Sequence, residues 1–424
     1  MSDYLMFERG HLPRWAEVRY RMDAEEIADV EAAVAAAFAP VRKTIGPGQR
    51  VAIAAGSRGI DRIDQVVRAA VREIKQLGAE VFIVPAMGSH GGATGAGQLE
   101  VLAGYGITPE SMGCELRSSM ETEQIGAVEG GVPVFFDRHA LKGADVVIPI
   151  NRVKPHTDFH GPVESGLMKM IAIGLGKQKG ADTFHSQGFA EFHRLIPAVA
   201  KYTLSAVNIP FGLALVENSH ARLTLIEAVT AKAMWEREQE LVKLARAKMA
   251  RLPVAALDVL ILDYIGKDIS GLGMDSNVVG RYYTGPTGTG PDVQRIIVRD
   301  LTPGTEGNAV GIGMADVVLN QVVRKMDTPK TFMNCITAKT PEGARIALSV
   351  ESDREAVVIA LACCLKVEPA TARILRVRDT KHLERFYASE PLLPDLLATG
   401  TCELVGGLHP IEFDHDGMLL DKEV

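Results

Sequence analysis

Three short apolar runs, RVAIAA (50–55), AEVFIVPA (79–86) and ADVVIPI (144–150), alternate with helical stretches, and this alternation constrains the fold most. Each run reads as a buried strand. Between the first two, DRIDQVVRAAVREIKQLG (61–78) has helical periodicity and a closing Gly78, and QLEVLAGYGI starts a further short helix. Short apolar strands joined through helices imply an α/β fold, with a mostly parallel sheet covered on both faces.

The pattern extends in both directions. Residues 23–41 are Ala-rich with acidic residues at the start, as suits the positive end of a helix dipole. RLIPAVAKYTL reads as helix, FGLALVEN as strand and residues 228–250 as a long helix stopped by Arg251-Leu252-Pro253. LDVLILDYIG (257–266) begins a fresh strand, and IIVRDL, ADVVLNQVV, ARIALSV and EAVVIALACCL continue the α/β rhythm. A chain of 424 residues exceeds one ordinary core, so two α/β domains are expected: 1–252, carrying catalysis and cofactor, and 253–424, contributing substrate contacts, with the active site in the cleft between them. The stretch CELVGGLHPIEFDHDGML mixes strand and turn signals and is assigned to neither.

Composition narrows the function. A net charge of −7 lacks the basic footprint of nucleic-acid binding, and 5% aromatic residues with two Trp make a poor stacking platform. No apolar run approaches the roughly 20 residues of a membrane helix, and the N-terminus has no charged-then-apolar signal design. The five Cys have no paired spacing, and Cys363-Cys364 sits in an apolar stretch expected to be a buried helix. A reducing cytoplasm fits these features.

Parallel sheets gather ligands at the carboxyl ends of their strands. Four Gly-rich loops with His, Lys or Arg follow expected strands: GSRGIDR, MGSHGGATG, NRVKPHTDFHG and GKDISGLGMD. His90 lies in the second, where an imidazole titrating near neutral pH is suited to take a hydroxyl proton. The third holds Arg152, Lys154, His156 and His160, with Pro155 fixing the backbone before His156; spacing does not rank the two histidines. Lys169 stands among apolar residues, where an amine is costly to bury unless paired or chemically engaged, and His185 follows sixteen residues later. Neither CxxC nor HExxH occurs, so a bound metal must draw most ligands from elsewhere. Gly174-Leu175-Gly176-Lys177 and Gly266-Lys267 resemble phosphate loops but lack the full GxxxxGK[ST] pattern, which argues against kinase chemistry.

These residues, taken together, resemble the nickel-dependent lactate racemase superfamily over most of the chain. The family's glycine-rich loop with a catalytic histidine is similar to Ala86-Met87-Gly88-Ser89-His90, and its proline-preceded second histidine to Lys154-Pro155-His156. Its cofactor-tethering lysine is similar to Lys169 in Ser165-Gly166-Leu167-Met168-Lys169, and its metal-binding histidine to His185. The resemblance implies a nickel pincer nucleotide (pyridinium-3-thioamide-5-thiocarboxylic acid mononucleotide) bonded to Lys169, with Ni(II) held by two cofactor sulfurs, one ring carbon and His185. It further implies an isomerase that inverts a 2-hydroxy acid by reversible hydride transfer, with His90 and His156 as acid and base on opposite faces. Cofactor-synthesis enzymes would be its partners. Arg58 matches the arginine of the family's Asp-x-Thr-Arg-Pro motif, with Ala55, Ser57 and Gly59 standing for Asp, Thr and Pro. Asp263-Tyr264-Ile265-Gly266-Lys267 resembles the segment with the substrate-carboxylate lysine, making Lys267 a second substrate contact; Asn277 and Arg281 serve either a larger substrate or a turn.

Two other functions use the same residues differently. A metal-dependent hydrolase or lyase would bind metal directly through His156, His160 and His185. A non-catalytic anionic-metabolite-binding protein would use Lys154, Lys169 and Arg58.

Overall fold

The structure, a computed structural model, describes residues 3–56, 59–284 and 290–420. The chain divides into two compact units, residues 24–249 and residues 1–23 together with 250–424. Both are α/β, and their sheets, mostly parallel when taken together, are flanked by helices.

The first strand, β1 (Arg14–Tyr20), belongs to the second of these units. Its Trp15, Ala16 and Val18 are fully buried, and Trp15 stacks on Tyr387 at 5.0 Å between centroids. A strand that buries three residues completely must pair inside a sheet. The expected 1–252 block therefore loses its N-terminus, because β1 supplies the core of the other unit.

In the unit of residues 24–249, β2 (Arg50–Ala55), β3 (Glu80–Pro85) and β4 (Glu115–Leu116) form one side of a six-stranded sheet. A separate antiparallel pair follows, β5 (Thr122–Val128) and β6 (Val132–Asp137). Then β7 (Val146–Arg152), β8 (Phe211–Glu217) and β9 (Leu223–Thr230) complete the sheet in the order β4-β3-β2-β7-β8-β9. All neighbours are parallel except β8 and β9. Ile53 pairs with Ile83 on one side and Ile148 on the other.

Strand alternation divides the core. Ala52, Ala54 and Val147 face one apolar cluster with Ile171, Leu195 and Val199, whereas Val51, Ile53, Ile148 and Ile150 face another with Val66, Val67 and Ile74. Both faces are dry, as the apolar runs predict. The helix Ile63–Gln76 buries Ile63, Val66, Val67, Ala70 and Ile74 at helical spacing. Gly78 follows at φ +77°, a conformation that favours glycine.

Two helix expectations are corrected. The helix expected over 23–41 is Val30–Phe38: the Asp29 carboxylate caps it by accepting from Ala32, and the preceding chain bonds Ile27 N–H to Leu223 O. The helix expected over 228–250 is Met234–Lys248, since Ala228, Val229 and Thr230 pair with β8 instead.

The other unit is built on β10 (Ala256–Ile265), β11 (Asp292–Leu301), β12 (Val317–Leu319), β13 (Leu348–Val350), β14 (Ile374–Val377), β15 (Arg385–Ser389), β16 (Cys402–Leu404) and β17 (His409–Pro410). With β1 they make one nine-stranded sheet, ordered β13-β12-β11-β10-β14-β15-β1-β16, with β17 also on β1. Strands β10 to β14 are parallel; β15, β1, β16 and β17 run antiparallel to their neighbours. The unassigned C-terminal stretch thus finds its place beside β1.

The helix Asp353–Ala362 opens with a Ser352–Glu355 capping box and stops before the cysteine pair. Cys363 is exposed and Cys364 half-buried, so the expectation of a buried Cys-Cys helix holds only to Leu361. Burial pushes the Cys364 thiol up to about 11, which keeps it a poor nucleophile. No helix among the described residues is long and apolar enough to cross a membrane.

Candidate active site

Strand order locates a crevice in the six-stranded sheet. From β2 the chain passes outward to β3 and β4, and from β7 it passes the opposite way to β8 and β9. Loops leaving the carboxyl ends of β2 and β7 diverge, and open α/β sheets bind ligands at such a switch point. Gly56, just past β2, would place a Cβ 3.1 Å from Met170 Cε and 3.3 Å from Asn151 Oδ1. Asn151, near the end of β7, donates to Gly166 O at 2.7 Å. The segment carrying Lys169 is thereby pinned over the strand ends.

That segment begins with one helical turn, Leu167–Lys169, and widens into a π-helical turn, Met170–Gly174, in which Leu175 N–H reaches Met170 O at 2.9 Å. Such turns are rare and concentrate at functional sites. Behind it, the fully buried Glu238 carboxylate accepts the N–H of Met168 at 3.0 Å. Burial raises Glu238 to about 7 against the opposing pull of the Met168 and Leu167 amides.

Lys169 is half-buried, and its Nζ lies 2.5 Å from His156 Nε2 and 5.8 Å from the Phe159 ring centroid. His156 is held on three sides. Its N–H donates to Glu164 at 2.6 Å, its Nδ1 accepts from the Asp158 N–H at 3.0 Å, and its ring lies 4.4 Å from that of Phe159. An antiparallel bridge between Lys154 and Ser165 closes the base of this loop. Glu164 organises the loop from inside. Fully buried, it also accepts from Arg246 at 2.7 Å and lies 3.3 Å from His160 Nδ1. The two histidines that spacing left unranked are thus distinguished: His156 meets Lys169, whereas His160 meets Glu164.

His185 sits in the last turn of the helix Lys177–Gln187, its ring 5.4 Å from Phe189 and 5.5 Å from Phe192. Phe189 is also 6.3 Å from His156, and Phe192 is 5.3 Å from Phe159. One aromatic wall therefore borders Lys169, His156 and His185.

His90 is exposed, in the loop after β3. Gly88 of that loop donates to Gly174 O at 3.1 Å, tying it to the end of the π-helical turn. Gln98 adds bonds from its Nε2 to Gly88 O at 2.9 Å and His90 O at 3.2 Å. Gly91 carries φ +67°, and a Cβ there would meet the Gly97 carbonyl carbon at 2.6 Å, so the loop closes only with glycine.

Lys177 carries a role that motif reading missed. Its Nζ is fully buried, 3.0 Å from Asp137, bonded to Gln98 Oε1 at 3.0 Å and to Pro85 O at 2.5 Å. Burial lowers its pKa and the Asp137 carboxylate opposes that shift. The near-phosphate-loop lysine therefore faces inward and braces the His90 loop through Gln98. No local signal marks this role, because its partners lie in distant segments.

Arg58 lies outside the described residues. Lys267 belongs to the other unit, at the carboxyl end of β10, where Nζ donates to Gly271 O at 2.7 Å. Arg281 is engaged by Asp316 and by carbonyls of Met314, Val293 and Gln294, and Asn277 is buried. Among the described residues the one set of three His, Cys, Asp or Glu with ligand atoms within 4.8 Å is Asp414, His415 and Asp416, all exposed. His156, His160 and His185 are not such a set.

No protein-family model matches the chain, and no curated protein matches it. Among solved structures it is similar to the lactate racemase apoprotein from Thermoanaerobacterium thermosaccharolyticum, with TM-score 0.48 and 15% identity over 82% of this chain and 95% of that one. It is also similar to a protein from Thermotoga maritima, with TM-score 0.49 and 13% identity over 66% of this chain and 72% of that one. Likeness of this degree carries nothing about chemistry.

Proposed function

We propose that the chain is an isomerase that racemises or epimerises a 2-hydroxy acid, using a nickel pincer nucleotide tethered to Lys169. The observation that carries the reading is the convergence of Lys169, His156 and His185 on one aromatic wall beside a sheet switch point. The donor set fits the group. Lys169 is the amine that would tether it, and His185 is an imidazole that would complete the coordination of nickel. His185 belongs to no set of three such ligands among the described residues, so the cofactor would supply the remaining donors. When bound, the group supplies a hydride acceptor beside a soft, sulfur-rich metal.

The protein's own residues handle the proton. A C–H bond beside a carboxylate and a hydroxyl is a poor acid, so inversion is easiest when hydride leaves carbon while an imidazole takes the hydroxyl proton. His156, fixed through Glu164 and Asp158, is assigned to one enantiomer. His90, on the braced loop after β3, is assigned to the other. The rings of Phe159, Phe189 and Phe192 keep water from the reacting carbon. Arg58 is assigned to the substrate oxygen or its carboxylate.

Conversion of one enantiomer in heavy water tests the reading. Product that keeps its original α-hydrogen is expected, and deuterium washing into that position contradicts it. His90→Gln and His156→Gln should each lower kcat by about 10²–10⁴.

A further inference from the structure

The hydrogen bonds around His156 fix which nitrogen carries its proton. Nδ1 accepts from the backbone N–H of Asp158 at 3.0 Å, so that nitrogen presents a lone pair. A neutral imidazole holds one N–H and one acceptor nitrogen, which leaves the hydrogen on Nε2. Nε2 faces Lys169 Nζ at 2.5 Å. An ammonium has three donors and no acceptor, so a charged Lys169 would set two donors against each other across this contact. An amine with a free lone pair resolves it.

We infer that His156 holds Lys169 as an uncharged amine, making it a nucleophile primed for acylation by a carbonyl or thiocarbonyl electrophile. The inference deepens the proposed function and rests on it only for the identity of the natural electrophile. Asp158 Oδ2, at 3.7 Å from Nδ1, is too far to accept a hydrogen bond there. Glu164 is engaged by Arg246 and the His156 amide, with His160 on its other side, and Glu238 by the amide of Met168. The Phe159 centroid, 5.8 Å from Nζ, lies near the outer limit at which a ring favours a cation.

Acylation also changes His156. Once Nζ becomes an amide or thioamide nitrogen its lone pair is delocalised and accepts no hydrogen bond. The Nε2 hydrogen is then released to face an oxygen of a substrate. The same imidazole thus holds the amine before loading and faces the substrate afterwards.

The test uses full-length, cofactor-free protein and 4-nitrophenyl acetate. The Lys169 nitrogen forms a bond to the acetyl carbon, 4-nitrophenolate leaves with the electron pair of the broken C–O bond, and the surplus amine proton goes to solvent. Peptide mass spectrometry compares Lys169 with the exposed Lys43 and Lys366. Ordinary lysines are only about one part in 2,500 uncharged at pH 7, so their rates rise roughly tenfold per pH unit from 7 to 9. Lys169 should react at least about tenfold faster than either at pH 7 and change little over that range. His156→Phe should slow it about tenfold or more and restore the steep pH slope. A wild-type Lys169 that follows the exposed lysines in rate and slope overturns the inference, whether or not the variant folds. A reactive Lys169 in a chain that never gains a nucleotide adduct sinks the proposed function and leaves this inference standing.

Discussion

The buried carboxylate of Glu238 accepts the N–H of Met168 at 3.0 Å, one residue before the amine of the candidate site. The group is raised from an ordinary 4.5 to about 7, chiefly by burial. A carboxyl whose folded pKa lies above its unfolded value contributes stability below the unfolded pKa and loses it as pH rises through the folded one. Stability should therefore fall between about pH 4.5 and 7, by roughly 2–4 kcal/mol from this group. Glu238→Gln should flatten that part of the profile, read as denaturant midpoint against pH; an unchanged slope would show that Glu238 is not its source.

Lys177 and Asp137 form an ion pair with neither side chain exposed. Removing one partner strands the other charge in the core, at a cost of about 3–5 kcal/mol. Lys177→Met should lower the melting temperature by on the order of 10 °C. The His90 loop should suffer too, because Lys177 holds Gln98 and Gln98 holds the carbonyls of Gly88 and His90. Hydrogen exchange should therefore quicken in residues 86–98 ahead of the sheet; uniform quickening would deny the bracing role.

Glu164 reaches both the His156 amide and Arg246. Glu164→Gln weakens both acceptor contacts and turns an amide N–H toward donors. We expect kcat of the loaded enzyme to fall about 10–100-fold with KM changed less, as for a residue that orients a proton-transfer group. Arg246→Ala, which leaves the bond to His156 in place, should cost stability while holding kcat within a few-fold. Equal kcat losses in both variants would assign the effect to packing.

Much of the fold was legible in the sequence because its strands are short, apolar and flanked by helical periodicity. RVAIAA matches β2 residue for residue, and AEVFIVPA and ADVVIPI contain β3 and most of β7. Errors arose where a distant partner overrides local preference. Residues 23–28 have helical composition, yet the chain there bonds across to Leu223, and Ala228–Thr230 are claimed by β8. The strand around Trp15 went unread, because RWAEVRY alternates charged with apolar residues and its partner strands lie in the far half of the chain. At the site, His156 and Lys169 could be picked out by loop position and an apolar setting, whereas His185, in a helix, was named only through the family resemblance. Glu164, Lys177 and Glu238 could not, since their roles depend on partners such as Arg246, Asp137 and Met168. A buried charge looks like an exposed one until its partner is known.

The measurement that bears most directly on the account is the mass of the Lys169 peptide from protein produced together with nickel-pincer cofactor-synthesis enzymes. A nucleotide adduct on Lys169 is predicted, with about one nickel per chain. In His185→Ala the adduct should persist while most of the nickel is lost. Protein that racemises its 2-hydroxy acid with Lys169 unmodified would contradict the account at its root.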